Sequence, residues 1–434
     1  MSDTSATPIT HSRVLRIAIP ILLSNVTIPI LGAVDTGVVG QIPQPEPIAA
    51  VGVGAIVLSA IYWVFGFLRM GTVGLAAQAA GAGDRAEVAA LLTRALLIGI
   101  GAGVLLIAVQ WGIFAAAFAV SPASPEVEAM ARSYMQIRIW SAPAAIAIYG
   151  ITGWLIAQER TRGVFVLQLW MNAINVGLDL LFVLGFGWGV EGVATATFIA
   201  EWTGFALALW LCRDGFSSGA WRNWALVFDR ARVWNMMAVN RDILIRSVLL
   251  MIGFTSFIFL SSDIGDVPLA ANQILIQFMF VTSYALDGFA FAAESLVGQA
   301  LGAKDRARLR RGAMLTSFWG LVVVSFLALA FLIGGKAGID VLTTSQPVRD
   351  EAHRYLPWMV IAPLIGVASW MLDGIFIGAT RSADMRNMMA VSFAGYVVSV
   401  LILLPAFGNH GLWASLMIFF ALRGLTLGAR YPSL

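Results

Sequence analysis

Polar residues with oxygen-bearing side chains interrupt several of the most apolar stretches of the chain. Asn172, Asn175 and Asp179 are spaced i, i+3 and i+7, which places them on one face of a helix. Asp35 and Thr197 lie in two further apolar stretches. Carboxylate, amide and hydroxyl oxygens are hard ligands, so these residues predict a site for Na⁺. A carboxylate removed from water also takes up a proton readily, so H⁺ is an alternative occupant.

The apolar stretches that carry these residues dominate the composition. Of 434 residues, 59% are hydrophobic and 12% are charged, and the mean hydropathy is +0.85. Soluble chains average roughly 45–50% apolar and about 25% charged residues. So little charge cannot cover a globular surface, which excludes a soluble enzyme. Long apolar runs without alternation predict membrane-spanning helices and not the strands of a β-barrel.

Proline, glycine and charged clusters divide these runs into twelve predicted spans, six in each half of the chain. The spans are residues 14–40, 48–80, 88–119, 129–158, 163–187, 190–212, 243–262, 268–301, 312–335, 352–378, 386–407 and 411–429. The prediction is an all-α integral membrane protein with an N-terminal lobe (1–212), a cytoplasmic linker (213–241) and a C-terminal lobe (242–434). The linker mixes tryptophan with arginine, which is compatible with an amphipathic helix at the membrane surface or with a plain charged connection.

The distribution of basic residues predicts the orientation. With the N-terminus in the cytoplasm, eighteen Lys and Arg fall on the cytoplasmic side and four on the other side. Positively charged loops remain on the cytoplasmic side, so both termini are predicted to be cytoplasmic, in a bacterial-type inner membrane. The formal charge of +3 is small and indicates no nucleic-acid partner.

The two halves contain matching segments. The segment Gln78–Ala86 matches Gln299–Ala307 at an offset of 221, and Thr161-Arg162 matches Thr380-Arg381 at an offset of 219. Six spans per half bring both halves into the membrane from the same side, so the repeat is parallel. This organisation is typical of secondary transporters.

Helix geometry brings the candidate cation ligands to similar depths. At 1.5 Å per residue, Asp35 lies ~7.5 Å, Thr197 ~10 Å and Asp179 ~12 Å from the outer ends of their predicted spans. Thr195 is an alternative to Thr197 as the hydroxyl. A structural explanation also exists: Asp35 can satisfy backbone groups freed near Pro29, and the two asparagines can be ordinary interhelical hydrogen-bond residues.

Four further acids lie within predicted spans, and arginines such as Arg69 or Arg246 can neutralise them as structural pairs. They are Glu201, Asp287, Glu294 and Asp373. The three histidines are scattered and there is one cysteine, so no metal-site spacing is present. The chain also lacks the phosphate-binding motif GxxxxGK[ST]. An ion gradient is therefore the expected energy source.

Four segments resemble the multidrug and toxic compound extrusion (MATE) family, and most of all its DNA-damage-inducible protein F (DinF) branch. They are Pro29–Gly40, Phe67–Gln78, Leu286–Glu294 and Asp373–Thr380. The resemblance implies two six-helix lobes forming a V, and export of organic, often cationic compounds in exchange for inward Na⁺ or H⁺. It places the cation site on Asp35, Asn175, Asp179 and Thr197.

The substrate cavity is a further expectation that follows the resemblance. Its candidate residues are Asn172, Tyr134, Thr152, Glu201, Tyr284 and Asp287. We expect a transporter and not an enzyme, a monomer in the lipid bilayer, no cofactor besides the coupling ion and no nucleic-acid partner. The alternative is a flippase for lipid-linked oligosaccharides or lipids in the same superfamily. Such a protein needs arginines at membrane depth, and Arg69, Arg138 and Arg246 keep that alternative open.

Overall fold

The computed structural model describes residues 8–42, 44–120 and 124–434 and, within them, every side chain except those of residues 28, 30–33, 35, 36, 39 and 120. These residues are almost entirely helical. In chain order the helices are α1 (His11–Val39), α2 (Glu46–Val64), α3 (Phe67–Gly81), α4 (Arg85–Ala108), α5 (Gln110–Val120), α6 (Pro125–Arg138), α7 (Ala142–Ala157), α8 (Thr161–Asp179), α9 (Gly189–Leu211), α10 (Trp224–Val227), α11 (Arg230–Ile264), α12 (Asp266–Gly302), α13 (Arg306–Leu342), α14 (Gln346–Gly378), α15 (Ser382–Phe407) and α16 (Asn409–Arg430).

The prediction of an all-α membrane protein is confirmed. Among the described residues, eleven helical segments are long and apolar enough to cross a membrane, judged by length and composition. α1, whose side chains are described only in part, occupies the position of the remaining predicted span.

Two predicted spans of the first half are each divided into two helices, whereas the corresponding spans of the second half are single helices. A turn at Phe65 and Gly66 separates α2 from α3, and a 3₁₀ turn at Ile139–Ser141 separates α6 from α7. Pro143 follows that turn within the first two residues of α7, where a missing N–H costs nothing. In the second half Pro363 lies inside the continuous helix α14.

The chain folds as two compact units. The N-terminal unit comprises Leu23–Ala80 and Asp84–Met236, and the C-terminal unit comprises Met1–Leu22, Gly81–Gly83 and Met237–Leu434. In the N-terminal unit α4 packs on α7, and α8 packs on α9. In the C-terminal unit α12 packs on α13 and α14, and α15 packs on α16. The lobe and linker boundaries derived from the sequence stay predictions.

The segment predicted as a linker is mostly helical. Two 3₁₀ turns (Arg213–Phe216 and Gly219–Arg222) and α10 precede α11, which begins at Arg230. Side chains of α4 hold this segment: Thr93 Oγ1 donates to the Trp221 carbonyl at 2.8 Å, and Arg94 Nε donates to the Val227 carbonyl at 2.7 Å. The segment is therefore docked on the N-terminal unit.

The repeat is visible at the start of the helices α4 and α13. Asp84 Oδ1 accepts the Glu87 N–H at 2.9 Å, and Asp305 Oδ1 accepts the Arg308 N–H at 3.0 Å. A capping carboxylate satisfies an amide left free in the first turn of a helix and favours the helix dipole. The residues matched at an offset of 221 thus have the same structural role in both halves.

Candidate cation site in the N-terminal unit

The helix α8 buries the three polar side chains whose spacing predicted a common face. Asn172 is 8% exposed, Asn175 is 2% exposed and Asp179 has no exposed surface. The helix turns through about two turns over seven residues, so the three side chains form a column along one side of α8. Burial of amides and a carboxylate in a membrane helix is costly unless other polar groups compensate it.

The helix α9 supplies one of these groups. Asn175 Nδ2 donates to Thr197 Oγ1 at 3.0 Å, and Thr197 Oγ1 donates to the carbonyl of Val193 at 3.0 Å. Thr195 instead donates to the carbonyl of Glu191 at 2.7 Å. Of the two hydroxyls that the sequence left open, Thr197 is therefore the one in contact with the polar face of α8.

The part of α1 that belongs to the N-terminal unit supplies another group. Asn172 Nδ2 donates to Thr27 Oγ1 at 2.7 Å, while Gln168 Nε2 donates to Asn172 Oδ1 at 2.9 Å. The first of these bonds connects α1 to α8, and the second lies within α8. Asp35 belongs to α1, but its side chain lies outside the described residues.

One amide oxygen on the polar face of α8 could accept a ligand. Asn175 Oδ1 is buried and has no hydrogen-bond partner among the described residues. A buried amide oxygen without a partner costs free energy, which a cation or a water molecule would recover. The described residues contain no group of three or more His, Cys, Asp or Glu side chains that could hold a metal ion.

The backbone changes its helical form immediately after Asp179. α8 ends at this residue, and Leu180–Gly185 form a π-helical turn in which the Phe186 N–H donates to the Leu181 carbonyl at 2.9 Å. π-Helical turns are rare and frequently occur at functional sites. The sequence predicted an ordinary helix to residue 187, because the run Leu180–Gly185 is uniformly apolar and gives no signal for the wider turn.

The predicted cavity residues of the N-terminal unit lie on α6, α7 and α9. Tyr134 is 4% exposed and Thr152 is half-buried. Glu201 forms an ion pair with Arg138, with Glu201 Oε1 3.2 Å from Arg138 Nη2. The pairing supports a structural role for this acid.

The two predicted cavity residues of the second half belong to the other unit. Tyr284 and Asp287 lie three residues apart on α12, and both are half-buried. Among the remaining acids, Glu294 on α12 is 1% exposed. Asp373 accepts hydrogen bonds from Arg246, the partner anticipated from the sequence, and from Arg423, which the sequence analysis did not single out.

Comparison with known protein families shows the family to which the chain belongs. The model of the MatE family matches residues 20–181 and residues 243–404. The chain belongs to the MATE family. Because this one family model matches once in each half, it also confirms the internal repeat inferred from the paired segments.

Two relatives place the chain within the MATE family. It is 38% identical over 426 residues to DNA damage-inducible protein F of Escherichia coli strain K12, which covers 95% of this chain and 90% of that protein. It is 27% identical over 440 residues to the probable multidrug resistance protein NorM of Bradyrhizobium diazoefficiens, covering 93% of this chain and 89% of that protein. The resemblance to the DinF branch is thus confirmed.

The MATE fold is also found in solved structures. The Vibrio cholerae MATE transporter VcmN in the bent form has a TM-score of 0.85 and 18% sequence identity, with coverage of 98% of this chain and 96% of that chain. At this identity the likeness concerns the fold. It agrees with the helices described above.

Proposed function

We propose that this MATE protein exports small organic, often cationic compounds in exchange for inward H⁺ or Na⁺, by alternating access. The observation that carries the proposal is the buried cluster of Asp179, Asn175 and Thr197. A carboxylate with no exposed surface, beside an amide oxygen that has no hydrogen-bond partner in the described part of the chain, is a suitable site for a monovalent cation or for a proton.

The register of α1 and α8 supports a role for Asp35 in the same site. Thr27 and Asn172 are in contact, Asp35 follows Thr27 by eight residues, and Asp179 follows Asn172 by seven. In the predicted topology both helices run outward, so eight and seven residues advance the chain by ~12 Å and ~10.5 Å. The two acids are then at nearly the same level.

In the proposed cycle, the ion and the substrate oppose each other through these acids. A cation entering from outside neutralises Asp35 and Asp179 and weakens the hold on a cationic substrate, which leaves. Reciprocal linkage then requires that the substrate also weakens the binding of the ion. The same chemistry serves Na⁺ and H⁺, so both ions enter the test.

The proposed location is the inner membrane of a bacterial cell, with both termini in the cytoplasm and the protein acting as a monomer. The excess of Lys and Arg on one side of the predicted topology supports the orientation of the termini.

The flippase alternative requires guanidinium groups that are available to a pyrophosphate at membrane depth. Arg138 is paired with Glu201, and Arg246 is paired with Asp373. Because Arg246 and Arg423 share the single carboxylate of Asp373, these pairs leave one net positive charge, which is too little for a pyrophosphate with two or more negative charges. This favours transport of small organic compounds over transport of a lipid-linked pyrophosphate.

The test is transport by the purified protein in proteoliposomes. Ethidium or norfloxacin transport is followed under an imposed Na⁺ gradient and, separately, under an imposed proton gradient. We expect one gradient to drive accumulation of the dye or drug and its collapse by an ionophore to stop it. Transport that is insensitive to both gradients, or transfer of a fluorescent polyprenyl-pyrophosphate between leaflets without any drug transport, would contradict the proposal.

A further inference from the structure

Three charged side chains meet inside the C-terminal unit. Arg246 of α11 is 6% exposed, Asp373 of α14 is 6% exposed and Arg423 of α16 is 2% exposed. Both arginines donate to the same carboxylate oxygen, Asp373 Oδ2: Arg423 Nη2 lies 2.6 Å away, and Arg246 Nη2 is also in contact. We name these three residues the arginine–aspartate cluster.

The arginine–aspartate cluster lies at membrane depth. Asp373 precedes the last residue of α14, Gly378, by five positions, or ~7.5 Å along the helix axis. Arg423 precedes Arg430, the last residue of α16, by seven positions, or ~10.5 Å. Unbalanced charge is expensive at such depths, so a charge here indicates a functional site by default.

The charges of the cluster do not balance. Two guanidinium groups and one carboxylate give a net charge of one positive unit. Among the described residues, neither arginine has a second carboxylate within 4.0 Å. A buried ion pair is tolerated when its charges and hydrogen bonds are compensated, and this cluster lacks one negative charge.

The hydrogen bonds of the cluster are also incomplete. Within the described part of the chain, Arg246 Nε, Arg423 Nε and Asp373 Oδ1 are buried and have no hydrogen-bond partner. An arginine that pairs with a carboxylate for structural reasons commonly uses two parallel N–H···O bonds. Here both arginines converge on one oxygen, which leaves donors on each guanidinium for a second anionic group.

Aromatic rings line one side of the cluster. The Arg423 guanidinium carbon lies 5.7 Å from the ring centre of Phe419 and 6.0 Å from that of Phe420. Trp370 packs against Phe420 with ring centres 5.3 Å apart. An aromatic molecule that carries an acidic group would find both of its parts matched at this place.

We propose that Arg246 and Arg423 are the residues of this chain that recognise the carboxylate of transported zwitterions, compounds with a cationic ring system and a carboxylate. The ligand's carboxylate supplies the missing negative charge and accepts hydrogen bonds from the free guanidinium donors. This inference rests on the proposed function, because it assigns the residues that recognise one part of an exported compound. Asp373 holds the two guanidinium groups together through one oxygen, a role that the amide oxygen of an asparagine would keep, while its negative charge competes with the ligand's carboxylate.

A matched pair of dyes tests the proposal. Rhodamine 123 is a cationic methyl ester, and its free acid has the same xanthylium ring with a carboxylate in place of the ester. The affinity of each dye for the purified, full-length protein in detergent is measured by fluorescence anisotropy, with protein-free micelles as the background. We expect saturable binding of the acid by the unaltered protein; its absence would overturn the proposal without any variant.

The substitution Arg246→Gln removes one donor and the excess positive charge. We expect it to weaken binding of the acid about tenfold or more, as for loss of a hydrogen bond to a charged group, with less than about a threefold change for the ester. Arg132→Gln is the matched control, because it removes a half-exposed guanidinium paired with Glu128 on α6. Equal changes for the two dyes in Arg246→Gln would contradict the proposal.

The substitution Asp373→Asn has the opposite expected sign. It removes the competing carboxylate and raises the charge of the cluster, so the acid should bind several-fold more tightly relative to the ester. A damaged protein would lose affinity for both dyes and could not produce this result. If the ester is transported in response to an ion gradient while neither variant changes the preference between the dyes, the proposed function stands and this inference fails. If neither dye responds to a gradient, the proposed function itself fails.

Discussion

The two units have the same helical plan but place their buried polar residues at different positions. The N-terminal caps of α8 and α15, Arg160 and Arg381, correspond at an offset of 221 residues. With this offset the column on α8 corresponds to three residues on α15. Asn172, Asn175 and Asp179 are matched by Phe393, Tyr396 and Val400, which pack in the hydrophobic core of the C-terminal unit.

Conversely, charged residues buried in the C-terminal unit correspond to uncharged residues in the N-terminal unit. Asp373, the centre of the arginine–aspartate cluster, corresponds to Thr152 at the same offset. For Arg423 in α16, the N-terminal caps Trp188 of α9 and Gly408 of α16 give an offset of 220, which leads to Thr203 in α9. The repeat has therefore kept the backbone plan and changed the charges, so that one unit carries the proposed cation site and the other carries the proposed carboxylate site.

The largest expected effect comes from neutralising the acids of the N-terminal unit. Asp179→Asn keeps the size of the side chain and removes its charge, so we expect gradient-driven ethidium transport to fall by about 100-fold or more, as coupling between ion and substrate is lost. Asp35→Asn should have the same effect. Vesicle transport at equal protein density is the measurement. Asp263→Asn is the control, since Asp263 is exposed near the end of α11. Full activity of Asp179→Asn would contradict the assignment of the coupling site to the N-terminal unit.

Breaking the arginine–aspartate cluster should lower the unfolding free energy of the protein, with a smaller effect on the ion dependence of transport. Asp373→Ala leaves two buried guanidinium groups without their carboxylate, which costs about 3–5 kcal/mol of unfolding free energy. Glu128→Ala removes a half-exposed i,i+4 partner of Arg132 and should cost less than ~1 kcal/mol. Unfolding in sodium dodecyl sulfate measures both. A loss of less than about 1 kcal/mol for Asp373→Ala, within the range of exposed pairs, would show that the cluster is not the charged centre of its unit.

A smaller effect distinguishes two neighbouring hydroxyls. Thr197→Val removes the group that contacts Asn175, and we expect the ion concentration for half-maximal transport to rise about fivefold to tenfold, as for one hydrogen bond or ligand lost. Thr195→Val removes a hydroxyl that bonds only its own helix in the described structure, and should leave this concentration unchanged. The opposite ranking would mean that α9 contributes the other hydroxyl.

The smallest effect concerns the connection between α1 and α8. Thr27→Val removes the hydroxyl that accepts from Asn172. Hydrogen bonds between membrane helices contribute about 0.6 kcal/mol on average, so we expect a slight loss of stability and nearly normal transport. A stability loss equal to that of Asp373→Ala would show that this bond, and not the charged cluster, dominates the energetics.

Much of the fold could be predicted from the sequence because membrane helices need long apolar runs and the repeat preserves polar anchors. Asp84 and Asp305 illustrate this, since their identity and spacing reflect a shared capping role. The pairing of Thr161 with Thr380 was less accurate. Glu159 and Thr380 both have positive φ, at 59° and 52°, and the caps that follow them give an offset of 221 instead of 219. Two residues of the same type in the two halves can therefore have different backbone positions in the repeat.

The candidate site was predictable only where helical periodicity determines the geometry. The spacing of Asn172, Asn175 and Asp179 predicted one buried face, because an α-helix fixes which residues share a side. The choice between Thr195 and Thr197 depended on the rotation of α9 against α8, which no single helix specifies. Arg423 was missed for a similar reason, since its partner lies fifty residues away in the chain and only tertiary packing brings the two together.

The most direct measurement is the affinity of the purified protein for ethidium at increasing Na⁺ concentration and, separately, at decreasing pH, compared between the unaltered protein and Asp179→Asn. If occupancy of the buried acid by a cation releases the substrate, one of the two ions should weaken ethidium binding to the unaltered protein at least about fivefold. The variant should show no such dependence. Ethidium affinity that responds equally to the ion in both proteins, or in neither, would contradict the central role of Asp179.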